Sequence, residues 1–355
     1  MTQAGAFVLP PELAASSPPE ERGLRRDEVR LLVANEAGVT HARFHDLTSF
    51  LSAGDVLVVN TSATVPAAVS ATRADGRPVV VHFSAALGDD VWTIELRTQR
   101  GGEERVRDGR RGDRVLLPDG VELHLLDGYP DARVAVGSRL WLARIEVEGG
   151  VPAYLSRHGR PITYGYVDGR WPLESYQTVF ARQPGSAEMP SAGRPFTPEV
   201  VTRLVAEGVL ILPIVLHAGV SSLEKSEAPL PERFEVPADT AVHVALARSR
   251  GSRVIAVGTT AVRALETVAA PDGSLSPGTG WTELVLGPDR PAYVTDGLIS
   301  GFHAPDASHL LLLEAVVGAD VLRRTYDAAL AEGYLWHEFG DTCLLLRPSS
   351  GSSQR

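Results

Sequence analysis

The sequence has 355 residues, with 44 acidic residues against 34 lysines and arginines, so its formal net charge at pH 7 is −10. This balance argues against a generally basic nucleic-acid-binding protein, while a hydrophobic content of 44% is enough for about two folded domains. The single cysteine, Cys343, excludes an intramolecular disulfide, and no stretch approaches the ~20 apolar residues of a membrane span or the layout of a signal peptide. We therefore expect a cytoplasmic monomer without a membrane partner.

The first part of the chain, up to about residue 147, is predicted to consist mainly of strands. Apolar runs at residues 30–33 and 56–60 predict two of them. From about residue 69, apolar and polar residues alternate as in half-buried strands, at 78–83, 91–98, 114–117, 121–126 and 139–148. No helix of useful length fits this stretch, so we predict a small all-β module, either a barrel or a curled sheet.

Helical spacing returns after Gly149 and Gly150. Helices are predicted at residues 198–207 and 240–250, strands at 209–216 and 254–257, and two more helices within 307–332 around Gly318. This alternation requires right-handed crossovers and a mostly parallel sheet. We predict an α/β main domain, residues 1–68 plus 148–348, interrupted by an inserted β-barrel-like domain at 69–147. The polar residues 349–355 predict a disordered tail.

The turn after the strand at 254–257 is the first candidate ligand site. Gly258 breaks the apolar run, and Thr259 or Thr260 is placed to cap the following helix. Unpaired N–H groups at a helix N-terminus attract carboxylates and phosphates. An ordinary strand-to-helix turn is the alternative interpretation, since such turns recur in every sheet of this type.

A histidine follows the other predicted parallel strand at its carboxyl end. His217 comes directly after residues 209–216, and open α/β sheets bind ligands at the edge where their strands end. We therefore expect His217, residues 258–260 and His303 to lie around one cleft at this edge.

Several well-known motifs are absent from the sequence. It has no Gly-x-x-x-x-Gly-Lys-Ser/Thr phosphate loop, no Gly-x-Gly-x-x-Gly fingerprint, no Cys-x-x-Cys and no His-Glu-x-x-His. These absences argue against nucleotide hydrolysis, hydride transfer and structural zinc, and we expect no metal.

Six segments in one order carry a family resemblance. They are Ser-Tyr-Gln-Thr-Val-Phe-Ala-Arg (175–182), Pro-Ser-Ala-Gly-Arg-Pro-Phe-Thr (190–197), Leu-His-Ala-Gly (216–219), Val-Gly-Thr-Thr-Ala-Val-Arg-Ala-Leu-Glu (257–266), Gly-Phe-His-Ala-Pro (301–305) and Phe-Gly-Asp (339–341). Together they resemble the S-adenosylmethionine:tRNA ribosyltransferase-isomerase family of queuosine biosynthesis. The resemblance implies an α/β domain interrupted by a β-barrel.

The resemblance also implies a reaction. Family members use S-adenosylmethionine as a ribosyl donor, and move the ribosyl part to 7-aminomethyl-7-deazaguanine in tRNA, giving epoxyqueuosine, adenine and methionine. The sulfonium acidifies the adjacent 5′ C–H, so a base could remove that proton while a general acid helps adenine depart.

Candidate site residues follow from the matched segments. The acid, base or charge-pairing candidates are His217, His303, Glu232 and Asp341. The substrate-binding candidates are Tyr176, Gln177, Thr178, Arg182, Ser191, Ala192, Gly193, Phe196, Thr197, Gly219, Gly258, Thr259, Thr260, Arg263, Glu266 and Phe302. His303 and Asp341 could instead be hydrogen-bonded turn residues, and Tyr176 and Phe302 could equally be core aromatics.

The sequence departs from the family pattern within these segments. Thr61 and Ala63 stand where the family has Asp and Arg, Pro195 replaces a His, and residues 334–338 read Tyr-Leu-Trp-His-Glu where the family has Tyr-Arg-Phe-Phe-Ser. The chain therefore has fewer polar groups than the family pattern to contact an RNA, so we expect weak tRNA binding at physiological salt. The first function hypothesis is the family's reaction on tRNA. The second is an enzyme that uses S-adenosylmethionine with a small-molecule acceptor or as a lyase, and the third is an inactive protein that binds an adenosyl ligand.

Overall fold

The computed structural model describes residues 7–88, 90–99, 104–220, 229–305 and 307–348. The predicted tail at 349–355 lies outside the described residues. The strands are β1 (Arg30–Asn35), β2 (Gly38–Arg43), β3 (Val56–Asn60), β4 (Ser62–Thr64), β5 (Ala68–Arg73), β6 (Pro78–Ala86), β7 (Val91–Thr98), β8 (Arg114–Leu116), β9 (Glu122–Tyr129), β10 (Leu140–Ile145), β11 (Gln183–Ser186), β12 (Leu210–Leu216), β13 (Glu232–Val236), β14 (Val254–Val257), β15 (Gly278–Thr282), β16 (Gly297–Gly301) and β17 (Thr342–Leu346). The α-helices are α1 (Gly150–His158), α2 (Pro198–Ala206), α3 (Ala238–Ser249), α4 (Thr259–Thr267), α5 (His309–Val317) and α6 (Ala319–Ala331).

One large sheet organises the α/β part of the molecule. Within the described ranges its strand order is β15-β13-β12-β3-β14-β16-β17-β1-β2. The predicted parallel pairing is confirmed at the centre, where β12, β3, β14 and β16 all run the same way. The flanking strands β13, β15, β17 and β2 each form an antiparallel pair, so the sheet is mixed. A connection as short as the turn between β1 and β2 permits only antiparallel pairing.

Both faces of this sheet are covered, which explains the unbroken apolar runs of its central strands. Val58 and Ala256 pack into the core formed with α3, α4, α5 and α6. Leu57 and Ile255 point to the opposite face and pack with α2 and the segment before it. Alternate side chains of a strand face opposite sides, so a strand buried on both faces is apolar throughout. No helix in the described part of the chain has the length and apolarity needed to cross a membrane.

A closed barrel interrupts the α/β part. Its strand order is β10-β7-β6-β5-β8-β9, and β9 pairs with β10 to close it. Inward residues such as Val81, Ile94 and Trp141 are fully buried, as the period-two pattern predicts. The α/β fold with a β-barrel is confirmed. The division at residues 69 and 147 stays a prediction, although the barrel strands run from Ala68 to Ile145.

The turn between β14 and α4 differs from the predicted capping. The N-cap is Gly258, which makes no side-chain cap, and the helix begins at Thr259. Gly258 has φ +93°, a conformation that residues with a side chain rarely adopt. The glycine therefore makes the turn, and Thr259 and Thr260 lie inside the first helical turn rather than before it.

Candidate active site

The carboxyl ends of the four central strands meet at one edge of the sheet. Asn60, His217 and Gly258 end or directly follow β3, β12 and β14, and Gly301 ends β16. Because β17 runs antiparallel to β16, with Gly301 opposite Thr342, the residues just before β17 reach the same edge. The topology therefore gathers five chain segments around one place.

Asn60 joins three of these segments through its side chain. Its Nδ2 donates to Leu216 O at 2.8 Å and to Thr260 Oγ1 at 3.2 Å. Its Oδ1 accepts from Leu216 N at 3.1 Å and from Ser62 N at 3.0 Å. Asn60 is 3% exposed, so these bonds form away from water and hold the ends of β3 and β12 against the start of α4.

His217 lies next to this amide, held between two short strands. Its Nδ1 is 2.8 Å from Ser62 Oγ, which is 2.7 Å from Ser186 Oγ. Gly185 approaches the ring so closely that a Cβ there would lie 2.7 Å from His217 Cγ. Burial and the charge of Arg233 lower the pKa of His217, so the imidazole is neutral at pH 7.

A carboxylate and a guanidinium form the next group. Glu232 Oε2 accepts a hydrogen bond from Arg263, and Glu232 Oε1 accepts one from Gly219 N at 3.1 Å. Arg263 also donates to Leu230 O and Thr282 O, so its position is fixed. Burial raises the pKa of Glu232, with the charge of Arg263 acting in the opposite direction.

The barrel approaches this group through β6. Ser84 Oγ accepts a hydrogen bond from Val220 N at 3.0 Å, and a Cβ on Gly219 would lie 2.6 Å from that oxygen. The close approach explains why a glycine follows His217 and Ala218. The site therefore lies where barrel and sheet meet.

Two stacked histidines lie beyond Gly301. The rings of His303 and His309 are 4.6 Å apart and nearly parallel, at 7°. His303 Nε2 is 3.0 Å from Ser300 Oγ. Burial, followed by the charges of His309 and His337, holds the pKa of His303 well below its usual value. Burial also lowers the pKa of His309 to about 4, with Arg263 as the second cause. Both rings are therefore neutral at pH 7.

The loop before β17 adds a carboxyl group and a third ring. Tyr166 OH donates to Glu338 Oε2 at 2.5 Å, and the His337 ring stacks on Tyr166 at 4.1 Å. Burial raises the pKa of Glu338 to about 7. His337 has φ +71°, a backbone conformation that residues with a side chain rarely adopt. A small cavity beside this loop is lined by Ser191, Gly301, His337 and Glu338, among others.

A second tyrosine–carboxylate pair continues this group. Tyr164 OH donates to Glu188, and its ring stacks on Tyr166 with centroids 6.0 Å apart. Burial, followed by the charge of Glu188, raises the pKa of Tyr164 well above its usual value. The charge of Glu188 also raises the pKa values of Glu232 and Glu338, so Glu188 acts on both of these carboxyl groups.

Asp341 holds this loop in position through its carboxylate. Its Oδ1 accepts from Arg30 N at 2.7 Å and its Oδ2 from Leu335 N at 2.8 Å. Both carboxylate oxygens are thus occupied by backbone, which ties β1 to the segment that carries His337 and Glu338. This geometry favours the turn-residue interpretation of Asp341.

The structure divides the substrate-binding candidates into two groups. Gly219, Thr260 and Arg263 belong to the site through the contacts above, Gly258 and Thr259 begin α4, and Ala192 lies against Gly258, where a Cβ would come within 3.3 Å. Arg182 is exposed beside Thr61, to whose carbonyl its N–H donates at 2.9 Å. These residues stay site predictions, together with Ser191 and Gly193.

The remaining candidates make contacts that hold the scaffold. Glu266 accepts from Tyr293 N, Val294 N and Thr295 N. Phe302 lies in a buried cluster with Tyr326, Tyr334 and Trp336, so it offers no free ring face. Among the other candidates, Phe196 packs against Phe44, Tyr176 packs against Phe339 and Thr178 lies beneath Gly193. Thr197 caps the N-terminus of α2, and Gln177 hydrogen-bonds to the backbone of Thr64.

Besides Asn60, Ser62, Ser84 and Ser186, six titratable residues of the site escaped the sequence predictions. They are Tyr164, Tyr166, Glu188, His309, His337 and Glu338. A usable signal exists for one pair, because His337 and Glu338 directly precede the Phe-Gly-Asp motif. The tyrosines and Glu188 lie in irregular segments without periodicity, so only the folded chain brings them to the edge.

The assembled site combines neutral histidines with carboxyl groups that retain protons unusually well. A neutral imidazole accepts a proton, and a carboxyl with a pKa near 7 can donate one at physiological pH. Within the described ranges, no three His, Cys, Asp or Glu side chains are grouped so as to hold a metal ion. The arrangement suits acid–base chemistry.

Comparison with known proteins gives one consistent family. The family model described as "Queuosine biosynthesis protein" matches residues 2–345. The chain is 35% identical to the S-adenosylmethionine:tRNA ribosyltransferase-isomerase of Symbiobacterium thermophilum, covering 96% of this chain and 98% of that one. The Moorella thermoacetica protein of the same name is 36% identical, with the same coverage of each chain. The crystal structure of S-adenosylmethionine tRNA ribosyltransferase from Thermotoga maritima matches with a TM-score of 0.52 and 25% identity, over 96% of this chain and 99% of that one.

Proposed function

Because the chain belongs to the queuosine biosynthesis protein family, we propose that it is an S-adenosylmethionine:tRNA ribosyltransferase-isomerase. The observation that carries the proposal is the match over nearly the whole chain, which includes both the sheet edge and the barrel. S-adenosylmethionine is the ribosyl donor, and a tRNA carrying 7-aminomethyl-7-deazaguanine is the acceptor. The products are epoxyqueuosine in the tRNA, adenine and methionine.

His217 is our candidate for the base that removes the 5′ proton. Its lowered pKa leaves the ring neutral, and Ser62 occupies only Nδ1. Nε2 has no hydrogen-bond partner among the described residues, so it is available to a substrate. His303 is the second candidate, because its ring is also neutral and Ser300 occupies only Nε2.

Glu338 is our candidate for the acid that protonates the departing adenine. Its pKa near 7 means that a substantial fraction carries a proton at neutral pH. The hydrogen bond from Tyr166 holds the carboxyl group in one orientation. The proton lost from the 5′ carbon therefore goes to a histidine, and the proton gained by adenine comes from this carboxylic acid.

The donor's charged groups match the rest of the site. The first N–H groups of α4, those of Thr259 and Thr260, lack intrahelical partners and suit the methionine carboxylate. The carboxyl groups of Glu188 and Glu232 supply negative charge for the sulfonium or the ammonium group. Arg263 compensates part of that charge when the donor is absent.

The direct test is product formation by the purified chain. It is incubated with S-adenosylmethionine alone, with guanine-containing tRNA, and with tRNA carrying 7-aminomethyl-7-deazaguanine. We expect adenine and methionine only in the last mixture, with one epoxyqueuosine per adenine by nucleoside mass spectrometry. Adenine released without tRNA would replace the proposal with a lyase or small-molecule reaction. Binding of S-adenosylmethionine without any adenine release would instead indicate an inactive binding protein.

A further inference from the structure

A row of three side chains runs outward from His217, which is half-buried, to the exposed edge of the large sheet. Arg233 on β13 lies directly opposite Trp281 on β15, because the two strands pair antiparallel. His217 continues the register of β12 against β13, and its N–H donates to Arg233 O at 3.0 Å. Residues directly opposite each other on neighbouring strands share one face. His217, Arg233 and Trp281 therefore form one row across three strands, about 10 Å long.

The two outer members of this row are accessible and unoccupied. Trp281 is 42% exposed, whereas Trp141 and Trp336 are fully buried. Arg233 is exposed, and no described carboxylate or carbonyl accepts a hydrogen bond from its guanidinium. The exposed indole and the guanidinium on the neighbouring strand together offer a stacking face and a positive charge, which is the combination that single-stranded nucleic acid binds.

A second unpaired guanidinium lies on the other side of His217. Arg182 directly precedes β11, whose Gly185 packs against the His217 ring. Its side chain is exposed and likewise has no partner among the described residues. Arginines therefore lie on the backbone segments on both sides of His217, in a protein whose net charge is −10.

We propose that Trp281, Arg233 and Arg182 form a docking strip for the RNA strand on either side of the reacting base. The indole stacks on a neighbouring base, and the two guanidinium groups contact phosphates. This combination of an aromatic platform with cations is how proteins hold single-stranded nucleic acid, and unpaired RNA loops are recognised in the same way. The row begins at His217, the candidate base, so the inference rests on the function proposed above.

The test is a filter-binding titration of tRNA carrying 7-aminomethyl-7-deazaguanine at several salt concentrations. Trp281→Ala should weaken binding about 5- to 140-fold, the range typical of one lost stacking contact, and Trp281→Phe should restore part of it. Arg233→Gln and Arg182→Gln should each lower the salt slope by about 0.7, the value for one phosphate contact on a single strand. Arg233→Lys should retain the slope.

Matched controls separate the strip from general effects. Val242→Ala removes apolar surface from a side chain that is 63% exposed on α3, and Arg250→Gln removes an exposed guanidinium at the end of the same helix; both should bind tRNA like wild type. Binding of S-adenosylmethionine to the Trp281 and Arg233 variants should be unchanged by calorimetry.

The outcomes distinguish the strip from the function. If wild type shows tRNA-dependent adenine release while all three variants bind tRNA normally, the strip is wrong and the function stands. If wild type itself neither binds tRNA nor depends on it for adenine release, both are overturned. A change of oligomeric state in Trp281→Ala by analytical ultracentrifugation would identify the surface as a contact between copies and overturn the RNA assignment.

Discussion

Replacing Asn60 with alanine should destabilise the protein and disable the site together. The substitution leaves three buried backbone groups without their partner: Ser62 N, Leu216 N and Leu216 O. An unsatisfied buried group costs about 1–3 kcal/mol, so simple addition gives roughly 3–9 kcal/mol. Water entering the vacated space would satisfy some of them, and single substitutions rarely exceed about 4–5 kcal/mol. We therefore expect a loss of about 3–5 kcal/mol.

The assay is urea unfolding followed by circular dichroism, with adenine release measured on the folded fraction. Asn35, the other asparagine of the chain, supplies a matched control. Its Oδ1 accepts from Ala37 N and Gly38 N in an exposed turn, so Asn35→Ala should cost less than about 1 kcal/mol. Equal unfolding free energies for Asn60→Ala and wild type would refute the view that this amide holds the strand ends together.

Four further predictions concern the site. Gly185→Ala should abolish most adenine release with the fold intact, because its Cβ would displace the His217 ring. Thr259→Val should weaken S-adenosylmethionine binding by up to about tenfold in calorimetry, the effect of one lost hydrogen bond. The pKa of Glu338 is about 7 in the folded protein, against 4.5 for an ordinary glutamate. Its contribution to stability is therefore complete below about pH 4.5 and is lost as the pH rises through 7. The variant Glu338→Gln should not show this loss of stability. His309 acts oppositely: with a pKa lowered from 6.5 to about 4, its contribution is lost as pH falls from 6.5, and His309→Gln should remove this acid sensitivity.

The first three of these have the following control or contradicting result. Gly88→Ala, where a Cβ would meet nothing within 4 Å, should keep full activity. Unchanged donor affinity in both Thr259→Val and Thr260→Val would remove these hydroxyls from the donor site. Parallel pH–stability curves for wild type and Glu338→Gln between pH 4.5 and 8 would show that this carboxyl has an ordinary pKa.

Local patterns in the sequence determined most of the elements and the place of the edge site. The β14 strand was predicted at residues 254–257 as the structure has it, because an apolar run stopped by glycine is a local signal. Five of the six barrel strands followed from period-two alternation, which depends only on near neighbours, whereas β5 was not predicted. Parallel pairing then placed His217 and Gly258 at one edge, since strands that run the same way end on the same side.

Only the tertiary structure decided which polar side chains meet at that edge. Glu338 and Tyr166 are 172 residues apart, and Asn60 and Thr260 are 200 apart, so no spacing along the chain could pair them. The raised pKa values of Glu338 and Tyr166, and the hydrogen bonds of all four side chains, come from burial between the sheet, the barrel and the loop before β17. The row from His217 to Trp281 could not be predicted for the same reason, because the register of neighbouring strands depends on contacts between distant segments. Helical and strand periodicity, by contrast, is set by the local geometry of the backbone.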